Sequence, residues 1–334
     1  MGANPKEESS MNLCVATLQP HNRNDSLIEN LERAESYLDA AVKAGAKLVL
    51  CPEFLATGYI FENSLWDKAE PAEGITFEWL RAKARQHSIF IGASFLELKG
   101  EHYLNTFILV DPSGKEAGRV YKDHLPFYEN YFCKAVRGSH IIECDLGKIG
   151  VGICFENQRR FLYNEFAKER PDLILMPHSA PAPLWHRFLE QAFTDCVLRV
   201  PQFFSDRFEV PVILSNKSGE VRSRTPLLPG ITLPLRFIGG STICNPENTQ
   251  SITLGKEPGM LCETIELRRK GRPQLDTINR SFVMDLGTIS KLGVPIISSI
   301  EGVGRLLYTY GPDRKRMARK GIDDNNKTGK SLAF

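Results

Sequence analysis

Residues 13–51 have the sequence LCVATLQPHNRNDSLIENLERAESYLDAAVKAGAKLVLC. The apolar run at 13–18 is typical of a buried β-strand, and Ser26 and Glu29 have the spacing of a capping box at a helix start. Apolar residues then recur at helical spacing until a second apolar run, 48–51, predicts another strand. This strand-helix-strand unit predicts an α/β fold, in which helices cover a sheet.

The rest of the chain continues the alternation of strands and helices. A helix near Phe77 leads into a strand at 89–95, and two strands at 103–121 form a hairpin around the turn residues Pro112 and Gly114, so the sheet is mixed. Further elements are predicted as strands at 140–144, 148–153, 173–176 and 212–214, helices at 160–168 and 184–198, and late strands at 241–244, 261–267 and 282–284.

The amino-acid composition argues against several classes of partner and cofactor. The chain has 334 residues with 42 basic and 40 acidic side chains, so it lacks the strong positive charge of most nucleic-acid-binding domains. Its eight cysteines contain no CxxC pair, and its histidines lack the paired spacing of zinc ligands. No long apolar segment predicts a membrane span. We therefore expect a cytoplasmic protein with reduced thiols, no metal or other cofactor, no nucleic-acid or membrane partner and a small-molecule substrate.

Three reactive side chains each follow a predicted strand. Glu53 comes after 48–52, Lys122 after 118–121 and Cys154 after 150–153. Side chains at the carboxyl ends of strands converge on one edge of an α/β sheet. A carboxylate can accept a thiol proton and an ammonium can stabilise the resulting charge, so these positions indicate nucleophilic catalysis by the cysteine.

The same pattern predicts how the nucleophile is presented. Gly150 and Gly152 favour a sharp turn before Cys154 that leaves the thiol exposed at its tip. Lys122 and the backbone N–H of Phe155 would then stabilise the negative charge that develops on a carbonyl oxygen.

Three strings resemble the nitrilase superfamily of carbon-nitrogen hydrolases, and they are LCPEFLATGY at 50–59, YKDHLP at 121–126 and GVGICFEN at 150–157. The strings NTF at 105–107 and GGSTI at 239–243 agree. By this resemblance, residues 12–290 are the hydrolase domain, residues 1–11 a disordered tail and residues 291–334 a C-terminal extension at a possible subunit interface. The polar run 321–330 favours a solvated or partly disordered tail.

The resemblance implies a four-layer αββα sandwich with two mixed sheets, covalent hydrolysis without a metal and assembly into a homodimer or larger homo-oligomer. It implies that Glu53, Lys122 and Cys154 form the catalytic triad and that Glu129 orients Lys122 or the substrate. Candidate substrate-binding residues, chosen because they follow strands or neighbour these positions, are Tyr59, Tyr128, Phe155, His178, Ser179 and Trp185.

The substrate class stays open between two possibilities. Hydrolysis of a small linear amide or N-carbamoyl compound is the leading hypothesis. The string Phe155-Glu156-Asn157 is closer to nitrile-cleaving members, so conversion of a nitrile to an acid and ammonia is the alternative. A thiol redox protein and a catalytically silent scaffold are the alternatives from other classes.

Overall fold

The computed structural model describes residues 10–60, 62–224, 230–246, 251–268, 273–284 and 294–328. Its first elements are β1 (Ser10–Gln19), α1 (Leu27–Lys43), β2 (Leu48–Leu50), α2 (Ile75–His87), β3 (Phe90–Lys99), β4 (His102–Val110), β5 (Glu116–Tyr121), α3 (Glu129–Phe132), β6 (Ile141–Cys144) and β7 (Gly147–Val151). There follow α4 (Arg160–Glu169), β8 (Leu173–Pro177), β9 (Pro181–Pro183), α5 (Arg187–Phe208), β10 (Val212–Ser215), β11 (Ser218–Arg224), β12 (Thr232–Ile238), β13 (Thr242–Cys244), β14 (Ile252–Thr253), β15 (Gly259–Arg268), α6 (Val294–Tyr310) and α7 (Pro312–Thr328).

The opening stretch folds as its sequence predicts. The Ser26 hydroxyl accepts a hydrogen bond from the Glu29 backbone N–H at 3.2 Å, and the Glu29 carboxylate accepts one from the Ser26 N–H at 2.9 Å. This capping box starts α1, whose buried residues Leu31 and Leu38 lie at helical spacing. The predicted strand-helix-strand unit is therefore confirmed.

Two six-stranded mixed sheets form the core. The first has the order β15-β1-β2-β3-β4-β5, with parallel pairing of β1, β2 and β3 and antiparallel pairing elsewhere. The second has the order β14-β13-β10-β8-β7-β6, with parallel pairing of β7, β8 and β10. A small third sheet contains β11, β12 and β9.

Helices cover the outer faces of both large sheets. Apolar residues of α1 and α2 pack on the first sheet, and those of α4 and α5 pack on the second. The inner faces meet around buried residues such as Val15, Leu50 and Ile213. Thr17 and Ser215 add hydrogen bonds across this interface, to the carbonyls of Leu214 and Leu18. The predicted four-layer αββα sandwich is confirmed.

Two predicted elements differ from the structure. The helix predicted at 184–198 begins at Arg187 and continues to Phe208, because buried apolar positions such as Val200 and Phe204 maintain helical spacing past it. Residues 282–284, predicted as a strand, form only an isolated bridge between Phe282 and Arg159. Their apolar side chains pack beside the turn after β7 without joining a sheet.

The polar C-terminal segment is helical to Thr328, so the disorder expected for part of the tail at 321–330 is absent over residues 321–328. That the segment is solvated stays a prediction. Helix α7 continues to Thr328, and residues 329–334 lie outside the described part. Helix α6 packs on α3, and Tyr308 and Ala318 are buried among aromatic residues of the same chain. These contacts explain why a sequence of mostly charged residues holds a helix. The N-terminal expectation falls mainly on residues 1–9, outside the described residues, whereas residues 10 and 11 are already in β1.

Candidate active site

The three strand ends chosen from the sequence converge between the two large sheets. Glu53 follows β2 and Lys122 follows β5 in the first sheet, whereas Cys154 follows β7 in the second. Glu53, Lys122 and Cys154 are 0%, 1% and 9% exposed. A carboxylate and an ammonium that are buried this deeply need partners, and the structure provides them.

Lys122 lies between two carboxylates. Its Nζ donates to Glu53 Oε1 and to Glu129 Oε2, each at 2.7 Å. Asn105 on β4 donates from its Nδ2 to both acids, at 2.7 Å to Glu53 Oε1 and 2.8 Å to Glu129 Oε1. The Tyr59 hydroxyl donates to Glu129 Oε2 at 3.3 Å. Lys122 and Asn105 thus connect the two acids in one buried network, and Tyr59 adds a third donor to Glu129 alone.

One carboxylate oxygen of this network accepts no hydrogen bond from the described residues. Glu53 Oε2 is buried, and no hydrogen-bond donor among the described residues reaches it. The backbone of Glu53 is fixed on both sides, because its N–H donates to the His178 carbonyl at 3.1 Å and its carbonyl accepts from Ser179 Oγ at 2.6 Å. An acceptor held in place without a donor is suited to take a proton from a reacting group.

Electrostatics keep Lys122 charged. Burial acts to lower the pKa of Lys122, but the charges of Glu129 and Glu53 outweigh it and hold the pKa well above its ordinary value. Burial raises the pKa of Glu129 to about 7, although Lys122 opposes that rise. The site therefore holds a buried cation beside a carboxyl group whose pKa lies above its ordinary value.

Cys154 occupies a sharp turn. Its φ of +54° is in the left-handed region, and it begins a short 3-10 helix, Cys154–Gln158. Glycine fits at position 152 because a Cβ there would overlap the Asn157 and Leu162 side chains, which would have to move. Asn157 Nδ2 in turn donates to the carbonyls of Gly152 and Cys154, at 2.7 and 3.0 Å. The sharp turn that Gly150 and Gly152 predict is present, and hydrogen bonds from the buried Asn157 amide stabilise it.

The thiol itself is buried, so the prediction that it is exposed at the tip is wrong. The turn lies between the sheets, where the segment after β8 covers it and the Ser179 backbone N–H donates to the sulfur. Burial raises the pKa of Cys154 well above its ordinary value, the charge of Glu53 adds to this, and Lys122 opposes it. The resting thiol is thus neutral, and it needs a base before it can act as a nucleophile.

Most candidate substrate-binding residues lie at or beside this network. Tyr59 contacts Glu129, Tyr128 directly precedes α3, and Phe155 is half-buried against the His124 ring at 5.6 Å between centroids. His178 is buried, and burial together with the charge of Lys122 lowers its pKa to about 3, so it is neutral.

Two further positions complete the comparison with the sequence. Trp185 is 55% exposed in the turn before α5, and no described contact joins it to the network around Lys122. Asn105 was missed as a site residue, although it bridges both acids. Its signal in the sequence was weak, since it is one polar residue in the otherwise mostly apolar string HYLNTFILV of β4.

The described residues 10–60, 62–224, 230–246, 251–268, 273–284 and 294–328 contain neither a metal-type cluster of side chains nor a membrane-spanning helix. No group of three His, Cys, Asp or Glu side chains in that part of the chain has the geometry of a metal site. None of its helices is both long and apolar enough to cross a membrane.

Comparison with known proteins places the fold and the motifs in one family. The model of the family described as carbon-nitrogen hydrolase matches residues 14–194. A nitrilase of Pyrococcus abyssi is 28% identical over 233 residues, which are 66% of this chain and 76% of that protein. A deaminated glutathione amidase of Synechocystis sp. is 30% identical over 181 residues, 49% of this chain and 65% of that enzyme. The crystal structure of a carbon-nitrogen hydrolase from Helicobacter pylori G27 has a TM-score of 0.68 at 18% identity and covers 76% of this chain and 89% of that one.

Proposed function

This chain belongs to the carbon-nitrogen hydrolase family, and from that membership we propose that it hydrolyses a small linear amide or N-carbamoyl compound through a covalent thioester on Cys154. The observation that carries the proposal is the unfilled oxygen of Glu53, a buried acceptor fixed beside a lysine that stays charged. A neutral buried thiol requires such a base, and no other carboxylate of the network around Lys122 has a free oxygen among the described residues.

The first half-reaction forms the thioester. Glu53 Oε2 accepts the thiol proton while the Cys154 sulfur attacks the carbonyl carbon. Negative charge develops on the carbonyl oxygen, where the Lys122 ammonium and the Phe155 backbone N–H stabilise it. The carbon-nitrogen bond then breaks, and Glu53 returns its proton to the leaving nitrogen, which departs as ammonia or an amine.

The second half-reaction releases the acid. Glu53 accepts a proton from a water molecule, whose oxygen attacks the thioester carbon. When the carbon-sulfur bond breaks, the proton returns to the Cys154 sulfur and the acid leaves. Glu129 orients Lys122 throughout, because it accepts from the same Nζ and shares Asn105 with Glu53.

Nitrile hydrolysis is the second candidate, favoured by the Glu156 and Asn157 side chains after the nucleophile and by the 28% identical nitrilase relative. The sulfur would add to the nitrile carbon, with proton transfer to the nitrogen, to give a thioimidate. Water would then release ammonia and leave the same thioester. The two candidates therefore differ in the first bond that is broken and share the final step.

Intact-mass spectrometry after brief mixing tests both candidates. Propionamide, N-carbamoylglycine and propionitrile present an amide, a ureide and a nitrile, and ammonia release is measured in parallel. We expect an acyl adduct and turnover with at least one compound in the parent and in Cys196→Ala, but neither in Cys154→Ala. An adduct of equal yield in Cys154→Ala would contradict the assignment of the nucleophile.

A further inference from the structure

We propose that Glu156 is a positioning residue that fixes the turn carrying Cys154 against the segment that follows Lys122. This inference rests on the proposed function, since it concerns the same two reacting groups. Glu156 is 0% exposed and lies in the 3-10 helix that Cys154 begins. It acts through the backbone of both segments and does not touch the reacting atoms.

The contacts of the carboxylate span the two segments. Glu156 Oε1 accepts from the backbone N–H groups of Asp123 at 2.7 Å and His124 at 3.1 Å, the two residues after Lys122. Its Oε2 accepts from the Ile153 N–H at 3.1 Å, directly before Cys154. A single side chain therefore ties the chain after one catalytic residue to the chain before the other.

The hydrogen bonds of Glu156 between these segments matter because Lys122 and Cys154 come from different sheets. Lys122 follows β5, the edge strand of one sheet, and Cys154 follows β7 of the other. Apolar packing between sheets is not directional, whereas hydrogen bonds from N–H groups to a carboxylate are strong and directional. Displacement of a catalytic group by about 1 Å can cost about 10²-fold in rate. Glu156 is thus placed to set a distance on which the reaction depends.

A buried histidine keeps Glu156 ionised. His140 Nε2 lies 3.3 Å from Glu156 Oε1, and its Nδ1 lies 3.2 Å from Glu165 Oε2. Burial acts to lower the pKa of His140, but Glu156 and Glu165 raise it to about 10. Burial acts to raise the pKa of Glu156, which His140, Lys122 and backbone donors nevertheless hold below its ordinary value. Asp123 is a third acid that interacts with His140.

Glu165 supplies a matched control on the other side of His140. Its Oε1 accepts from the His140 N–H at 2.8 Å and from Ser139 Oγ at 3.2 Å. In the described structure, none of its hydrogen bonds reaches residues 122–124 or 153–154. Glu156→Gln and Glu165→Gln therefore both remove a charge beside His140. Only Glu156→Gln also turns an NH₂ group toward the N–H donors of one of the two catalytic segments, whichever way the amide is oriented.

The first measurement is steady-state turnover of whichever of propionamide, N-carbamoylglycine and propionitrile the parent hydrolyses. We expect Glu156→Gln to lower kcat by about 10²-fold with KM within about threefold of the parent, because misplacement affects the reaction more than binding. Glu165→Gln should keep kcat within about threefold. Equal losses in the two variants would overturn the proposal, because the effect would then belong to the charge of His140.

The second measurement needs no substrate and so stands apart from the proposed function. The rate of Cys154 alkylation by iodoacetamide is followed by peptide mass spectrometry between pH 5 and 10. We expect Glu156→Gln to slow alkylation about tenfold at pH 7. If that variant does not fold, Glu156→Asp, which keeps the charge but is one methylene shorter, is expected to lose about tenfold in kcat. A folded variant with kcat and alkylation within about threefold of the parent would overturn the proposal, even if its Tm were lower.

Discussion

Two clusters of ionisable side chains near Cys154 share one charge arrangement, a cation between two carboxylates. In the Lys122 cluster, defined as Lys122 with Glu53, Glu129 and Asn105, the ammonium lies 2.7 Å from each acid. In the His140 cluster, defined as His140 with Glu156 and Glu165, the imidazole lies 3.3 and 3.2 Å from its acids. Charge alone therefore does not distinguish the two clusters.

The two clusters differ in how many of their carboxylate oxygens accept hydrogen bonds. Both oxygens of Glu156 accept from backbone N–H groups, which cannot leave without moving the chain. Glu53 accepts only through Oε1, from two side chains, and its Oε2 has no donor in the described structure. A filled buried carboxylate holds structure, whereas one with a free oxygen can exchange a proton.

The largest effect is expected from Glu53→Gln. The amide keeps the volume of the side chain and an oxygen for Lys122, but it cannot accept a proton, so turnover should fall at least about 10³-fold. Thermal unfolding should change little, because no cavity forms. The control is Glu70→Gln, since Glu70 is a buried carboxylate whose oxygens both accept from Thr76 and whose pKa burial raises to about 7. Turnover of Glu53→Gln within tenfold of that control would remove Glu53 as the base.

A smaller effect is expected from Asn105→Leu, which removes the amide shared by both acids at similar volume. Asn105 lowers the pKa of Glu129, so its loss should raise that pKa above about 7. We expect kcat to fall about 10- to 100-fold. Because Glu129 orients Lys122 as a carboxylate, activity should rise with pH as Glu129 ionises, and the loss of Asn105 should shift this rise to higher pH. The control is Thr106→Val on the same strand, because Thr106 donates to Glu97 Oε2 at 2.8 Å, outside the Lys122 cluster. An unshifted pH profile would contradict the role of Asn105.

The Lys122 cluster was the easier one to predict from the sequence. Glu53 and Cys154 each follow a mostly apolar run, and such a run marks a strand without knowledge of its neighbours. Lys122 follows the second strand of a hairpin that the turn residues Pro112 and Gly114 mark. Asn105 carries no such signal, because its role depends on how β3 and β4 align and on which face it occupies.

The His140 cluster could not be predicted in the same way. Glu156 served in the sequence only as a marker of substrate class, since its donors at 123 and 124 lie more than 30 residues away. His140 was assigned only to the start of a strand. The helical C-terminal segment was missed for a related reason, because its stability comes from contacts such as the Tyr308 hydroxyl, which accepts from the Tyr103 N–H at 3.0 Å.

The smallest effect, a change in the pH dependence of stability, tests whether the His140 cluster is charged. The pKa of His140 is about 10 in the folded protein and about 6.5 when exposed, so its charge stabilises the fold fully below pH 6.5 and this stabilisation is lost as pH rises toward 10. His140→Gln should therefore lower the free energy of unfolding most near pH 6.5, and the gap to the parent should close by up to about 1.4 kcal/mol per pH unit. Urea unfolding at several pH values measures this difference in the free energy of unfolding. His186 is exposed, so His186→Gln should show no such difference from the parent. A gap that stays constant from pH 6.5 to 10 would mean that Glu156 keeps its place through backbone donors alone.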